Sequence, residues 1–466
     1  MGSNLSAIPD PGSFRDPAGF VFEQNGEVMR RVNPCGLDDY KLLIDSGLYT
    51  TLVNSHMLVS HEESPNDIDS SVDLRPMPIP IISYPYEWTL SQLKSAALLT
   101  LDIQEQALLR GVTLKDASPF NIQFQSDSPI FIDTLSFSKN DQSTLWTGYR
   151  QFCELFLVPL LLKRYVSGIL RLPELYFNDG KNLQIAVSAL PFRAFLKKEV
   201  FFHIYLHSIF QEKFSHTPKN KKSNKKVSVQ SQIMLVKSLR KLISRIKVAA
   251  TETIWSEYYH DIHYSELEFN EKKKAVSLFL SSVKPELVLD LAGNSGEFSE
   301  IAINLGSNVL LVDSDESAIE SALAKNFSMV HDRQYYLKLV IDILNPTAGQ
   351  GWAGNERKTL QERCSPDLVM ALALTHHLFI THNISWGRLA EYFSTLSNYL
   401  VIEHCSGEDS QVKILNQNKQ LPDNQLNFEV FEQHFLQFFE LIDSYPLKSG
   451  ARRLYLLKRK GDDADN

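Results

Sequence analysis

Cysteine is scarce: the 466 residues contain four, Cys35, Cys153, Cys364 and Cys405, and none has another within four positions. That spacing excludes a zinc ribbon and argues against a disulfide framework, so a reducing, cytoplasmic setting is expected. A basic excess is also lacking. The formal charge is -8, and neutralising phosphates requires a net basic face, so nucleic acid is a disfavoured partner. No apolar run reaches the ~18 residues of a membrane helix. The longest candidate, Phe152 to Leu162, is interrupted by Glu154 and Pro159 and reads as a buried helix. The N-terminus is polar, without the charged-then-apolar pattern of a secretory signal. Gly2 and Ser6 match a short myristoylation pattern that chance readily produces. Repeats of solenoid period are absent.

What is present is an ordinary globular composition, 43% hydrophobic and 22% charged, on a chain long enough for two or three domains. Residues 216–232 read HTPKNKKSNKKVSVQSQ; so few large apolar groups cannot offset the entropy of ordering, and the stretch is expected to be a solvated linker. Beyond it, Ile233, Val236, Leu239, Leu242, Ile243 and Ile246 fall at helical spacing among Lys237, Arg240, Lys241, Arg245 and Lys247. This is a basic amphipathic helix, suited to its own protein's core or to a membrane surface, the former being commoner. The resulting division is an N-terminal α+β module at 1–215, the linker at 216–232, the helix region at 233–255, and an α/β domain at 256–460, followed by an acidic tail.

The α/β domain is legible as alternating strands and helices. Apolar runs at 287–291, 308–312, 337–341, 367–374 and 399–403 are separated by helical stretches, and two more, 438–445 and 453–458, follow with a short connection. The pattern predicts a seven-stranded, mostly parallel Rossmann-like sheet with an antiparallel finish. In such sheets ligands bind beyond the carboxyl ends of the strands. Asp290 ends the first strand ahead of a small-residue turn, Ala292, Gly293, Asn294, Ser295, Gly296, which lets a ligand approach the backbone. Asp313 closes the second strand at the ~20-residue spacing suited to a ribose diol. Asp342 closes the third and is placed to accept from an adenine amino group. His376 and His377 follow the fourth strand on the side where an acceptor would sit and can take a proton. Glu403 ends the fifth. His376, His377 and His382 lack a carboxylate or cysteine at helical spacing to complete a metal set, so no metal is expected.

The string DLAGNSGEFS at 290–299 resembles motif I of class I methyltransferases, with Ala292 and Asn294 standing where the pattern has its first two glycines and Gly296 keeping the last. Asn tolerates positive φ, so the turn survives. The dinucleotide fingerprint G-x-G-x-x-G is absent. Together with ALALTHHL at 371–378, IEHCSGEDSQV at 402–412, and Asn345-Pro346, Gly351-Trp352, Glu356-Arg357 and Glu362-Arg363 between them, the chain resembles a bacterial family of large methyltransferases related to the nodulation protein NoeA. The resemblance extends upstream through GFVFEQNGEVMRRVNP, SGLYTTLV, DASPFNIQF and PIFIDTLSF. It implies S-adenosylmethionine as cofactor, held by Asp290, Ala292, Gly293, Asn294, Gly296, Asp313 and Asp342, with His376, His377 and Glu403 on the acceptor side. The acceptor class left open is a small molecule or glycan.

In the N-terminal module, Asp116 followed by Asn121, then a hairpin ending in Asp133, resembles the core of kinase-like phosphotransferases, where such residues orient a hydroxyl and hold Mg²⁺. The departures are that no histidine precedes Asp116 in the usual place, Thr134 follows Asp133, and the upstream hairpin offers Arg30 and Arg31 in place of a strand lysine. A kinase-like phosphotransferase and a non-catalytic Rossmann-like binding protein are therefore the alternatives to the methyltransferase reading.

Overall fold

The computed structural model describes residues 8–65, 71–166, 176, 182–209, 226–247, 266–325, 334–417 and 419–461. Gly2, Ser6, residues 216–225 of the Lys-rich stretch, residues 248–265 and the tail after Gly461 lie outside them. The chain divides into two compact units, Met1–Ala249 with Gly349–Lys358, and Ala250–Ala348 with Thr359–Asn466.

The first unit opens with an antiparallel sheet in the order β1-β2-β4-β3, comprising β1 (Gly19–Gln24), β2 (Glu27–Val32), β3 (His61–Pro65) and β4 (Val72–Pro76). Asn25 and Gly26, both at positive φ, form the β1–β2 turn, the Asn-Gly chemistry that matches strand twist in a two-residue hairpin. The helix Leu90–Leu108 starts on a reciprocal cap between Thr89 and Gln92 and is followed by the left-handed Gly111. Two short antiparallel pairs come next: β5 (Val112–Leu114) with β8 (Phe137–Lys139), and β6 (Ile122–Gln125) with β7 (Ser128–Phe131). The stretch around Phe152 to Leu162 is buried and helical, with a π turn at Cys153–Leu157.

The basic amphipathic helix forms, but at Val229–Ser244, starting earlier than expected because Ser228 caps it by accepting from Ser231 N. Its stripe of Ile233, Val236, Leu239, Leu242 and Ile243 is buried within this unit, while Arg240 pairs with Asp102 and Glu105 on Leu90–Leu108. The segment Gly349–Lys358 also belongs here, although it lies between two strands of the other unit in sequence. Glu356 accepts both Nε and Nη2 of Arg15 at 2.8 and 2.9 Å, Lys358 pairs with Asp10 at 3.0 Å, and the Arg357 guanidinium lies over the Phe120 ring. Glu356, Arg357 and Lys358 thus have their partners within this unit, which periodicity alone does not reveal.

The second unit is a seven-stranded sheet in the order β11-β10-β9-β12-β13-β15-β14. Its strands are β9 (Leu287–Leu291), β10 (Asn308–Asp313), β11 (Tyr336–Val340), β12 (Leu368–Ala371), β13 (Tyr399–Cys405), β14 (Phe439–Pro446) and β15 (Arg452–Arg459). The first five are parallel, and β15 runs antiparallel to both β13 and β14. This is the expected Rossmann-like α/β architecture. Helices cover the sheet, and a core of Val288, Val309, Leu311, Leu368, Met370 and Val401 fills the space under Ala275, Val276 and Phe279 of the helix Glu266–Val283. The fourth strand is shorter than the apolar run suggests. Asp367 is occupied in accepting the backbone N–H groups of Glu286 and Leu287, and Ala373 turns the chain out at φ 51. Strand order reverses between β9 and β12, which creates the crevice where ligands of such folds bind.

Candidate active site

The site is built from the loop after β9. Asp290 is buried, and its Oδ2 accepts from Ser299 Oγ at 2.7 Å. Burial pushes its carboxyl up to about 7, opposed by the Ser299 bond and reinforced by the charge of Asp313. Ala292, Asn294 and Gly296 all adopt positive φ, at 54, 52 and 80°. Asn294 supports itself there by accepting Ser295 N on its own side-chain oxygen at 2.7 Å. Gly293 has a different reason to be glycine: a Cβ would collide with the Asp290 carboxyl and the Leu311 side chain.

Asp313, at the end of β10, clamps this loop. Its Oδ2 accepts from Asn294 N at 2.9 Å and its Oδ1 from Asp315 N at 2.8 Å. Burial nevertheless pushes it up to about 6, against those backbone bonds. Ser314 N–H adds a third backbone bond to this carboxylate, and the residue lines a cavity of about 470 Å³. Asp290, Ala292, Gly293, Asn294 and Asp342 line the same cavity, whereas Gly296 shapes the loop away from it. Asp342 turns its chain segment by accepting Leu344 N at 3.0 Å.

The three acceptor-side candidates separate. His377 lines the cavity alongside His382, and burial, with His382 and Arg452 adding, lowers its pKa to about 4. His376 is buried behind it, ring centroids 4.3 Å apart, with its Nδ1 unpartnered. Burial holds it well below the ordinary histidine value. Glu403 is fully buried and outside the cavity lining. Its Oε2 accepts from Lys272 Nζ at 2.7 Å and Ala373 N at 2.8 Å, and its Oε1 faces Arg452, which in turn holds Asp409. Glu403 therefore positions two groups that do line the cavity, Lys272 and Ala373.

Lys272 was missed by the motif reading. Its signal was a lysine within the buried helical stripe 272, 275, 276, 279, 280, a position where a charge persists only with a partner. Its ammonium also lies 4.7 Å from the Phe298 ring centroid.

In the first unit, the structure does bring Asp116, Asn121 and Asp133 together. Asn121 donates to Ser136 Oγ at 3.1 Å, and Ser136 donates to Asp133. Burial raises Asp116, with the Asp133 charge adding. Asp133, however, is taken by Arg30 of β2. Burial works to raise its pKa, but Arg30 and the bonds from Ser136 and Leu135 N more than offset this and leave it below the usual carboxylate range. A carboxylate so engaged does not fit a magnesium ligand, and the phosphotransferase alternative is not favoured.

The second unit thus has the seven-stranded Rossmann-like fold expected for a class I methyltransferase domain, with an open crevice at its switch point. Over nearly its whole length the chain is similar to nodulation protein NoeA of Rhizobium meliloti (strain 1021), being 29% identical over 477 residues that cover 98% of each chain. No family model matches the chain. Among solved structures, it matches the N-methyltransferase NodS of Bradyrhizobium japonicum WM9 with a TM-score of 0.31 and 12% identity, over 42% of this chain and 99% of that one. It matches the magnesium protoporphyrin IX methyltransferase ChlM of Synechocystis PCC 6803 with a TM-score of 0.32 and 13% identity, over 44% of this chain and 93% of that one.

Proposed function

We propose that the second unit is a methyltransferase that binds S-adenosylmethionine over the 292–294 turn and passes its methyl group to a small-molecule or glycan acceptor. The observation that carries this reading is the open cavity of about 470 Å³ above that turn, with Asp313 at its edge. The volume is in the range of small-molecule pockets, ~300–1,000 Å³. In this reading Asp313 accepts from a ribose diol, Asp342 accepts from an amino group of the base, and Lys272, paired with Glu403, contributes a further donor toward a carboxylate. S-adenosylmethionine, when bound, supplies a methyl group on a positively charged sulfur. The chain's contribution is orientation of the acceptor and a place for its proton. His377 lines the cavity and burial keeps it neutral at pH 7, so in this reading its imidazole takes the proton leaving the acceptor's oxygen or nitrogen as the new carbon bond forms.

Calorimetry on the full chain tests this with S-adenosylmethionine, S-adenosylhomocysteine and Mg-ATP. The first two are expected to bind and the third to give no heat. Asp313→Asn keeps a single carbonyl acceptor and is expected to weaken S-adenosylmethionine about tenfold or more, the worth of one charge-assisted hydrogen bond. Unchanged affinity would remove Asp313 from the cradle, and silence with both adenosyl ligands would reject the reading.

A further inference from the structure

The first unit carries a surface that the methyltransferase reading does not use. Between the short helix Phe192–Phe195 and the π turn Phe201–Leu206, large apolar side chains point outward: Phe192 is 80% exposed, Leu196 73%, and Phe201, Phe202 and Tyr205 are also exposed. Rings of Phe195, Tyr205, Phe201 and Phe202 touch one another in series, so these four form one cluster, with Phe192 and Leu196 close to Phe195 along the chain. Beside it runs the solvent face of Val229–Ser244, where Met234 is 64% exposed and Lys237 and Lys241 follow at i+3 and i+7. Phe202, Lys198, Met234, Lys237 and Lys241 line one groove of about 680 Å³. Glu199 ties the two helical stretches together through Lys241 and Arg245, at 3.7 and 3.8 Å.

The charge of this surface opposes that of the chain. Residues 192–206 and 229–245 hold seven basic residues, Arg193, Lys197, Lys198, Lys237, Arg240, Lys241 and Arg245, against the single acid Glu199, in a protein of net charge -8. Arg240 pairs with Asp102 and Glu105, and the exposed Lys237 reaches Glu105 at 3.8 Å. Lys197 and Lys198 lie over the rings of Tyr165 and Phe202, at 5.5 and 5.8 Å. Cations placed among exposed aromatic and aliphatic groups match a surface that is anionic outside and apolar beneath. Contiguous exposed apolar groups of this kind mark interaction sites.

We infer that this face docks the protein peripherally on an anionic phospholipid surface, with Phe192, Leu196 and Phe202 entering the headgroup–acyl boundary and the lysines meeting lipid phosphates. No helix among the described residues is long and apolar enough to cross a membrane, and this mode requires none.

The test is co-sedimentation of the full chain with vesicles of phosphatidylcholine alone and with about one-third phosphatidylglycerol. Binding is expected to the anionic vesicles, at least about tenfold above neutral ones, and to fall as salt rises. Lys197→Glu with Lys198→Glu should lower it at least about 20-fold, since each basic group near an anionic surface is worth a factor of about five. Phe192→Ser with Phe202→Ser should lower it while the salt dependence of what binding persists is retained; both positions are exposed, so circular dichroism should be unchanged. Equal binding to neutral vesicles, no binding to either, or indifference to the charge reversal overturns the inference. So does a concentration-dependent dimer in sedimentation velocity that Phe192→Ser with Phe202→Ser abolishes, because a second copy would then be the occupant.

Discussion

Asp313 and Asp133 stand at comparable places in the two units and behave in opposite ways, while Asp116 beside Asp133 is raised by burial as Asp313 is. In the second unit, Asp290 and Asp313 sit at strand ends facing an open cavity, paired mainly with hydroxyl and backbone donors, and both are pushed up, to about 7 and about 6. In the first, Asp133 follows the end of β7 too, but Arg30, from β2 of a separate sheet, fills the space before it. The difference teaches that acid spacing along the chain does not make a ligand site. What matters is whether the fold supplies an internal counter-charge. Where it does, the acid is part of the scaffold; where it leaves the acid facing empty volume, the missing donors must come from a ligand.

The sharpest break of this contrast comes from Arg30→Met. Removing one partner from a largely buried pair strands the other charge, with a cost of about 3 kcal/mol. Thermal melts should therefore fall clearly for Arg30→Met, while Asp313→Asn, which keeps one side-chain oxygen for the backbone N–H donors, should cost less, about 1–2 kcal/mol. If Arg30→Met leaves the melting temperature unchanged, the first cluster is not a scaffold pair, and the contrast fails.

The second way is through pH. Asp290 and Asp313 hold protons in the folded chain that the unfolded chain, near 3.9, has released. Their contribution to stability is thus fully present below about pH 4 and is lost as pH rises through about 6 and 7. Asp133, held low, runs the other way: its contribution is present above the unfolded value and lost as pH falls through the folded one. S-adenosylmethionine draws on ionised Asp313, so its affinity should rise about tenfold between pH 5 and 7.5, as the charged fraction of a group titrating near 6 rises from about a tenth to nearly one. Calorimetry at both pH values measures this, and Asp313→Asn should flatten it. A flat wild-type profile would mean the ligand does not touch that carboxylate.

Much of the second unit was legible because parallel strands buried on both faces read as plain apolar runs. Leu287–Leu291 needed no correction, and the short connection before Arg452–Arg459 announced the antiparallel finish. Where the reading slipped, a single residue's conformation or partner decided: Ala373 at positive φ ends β12 early, and Asp367 is spent on backbone donors. Of the candidate site, the residues on the β9 and β10 loops were readable from spacing. Glu403 looked like an acceptor contact because it ends a strand, yet burial with Lys272 and Arg452 makes it a support. No local pattern could expose that, since the pairing spans 131 residues. Gly293 was equally opaque: its need for glycine comes from Leu311 across the sheet and Asp290 below, not from the motif position it occupies.

The smallest expected effect bears on how the cavity keeps its shape without two of the usual glycines. Ala292 holds φ 54, where a Cβ costs roughly 1 kcal/mol that glycine avoids, while glycine in turn gives up roughly as much in unfolded-chain freedom. Ala292→Gly should therefore leave stability within about 0.5 kcal/mol and S-adenosylmethionine affinity within about twofold. Ala292→Val places a branched side chain where positive φ is a real outlier, and should cost about 2 kcal/mol and weaken the ligand with it. Melting curves and calorimetry on the pair measure both. If valine is tolerated as well as glycine, the turn is not held in the left-handed region, and the backbone path under the cavity differs from the one on which the cofactor site is built.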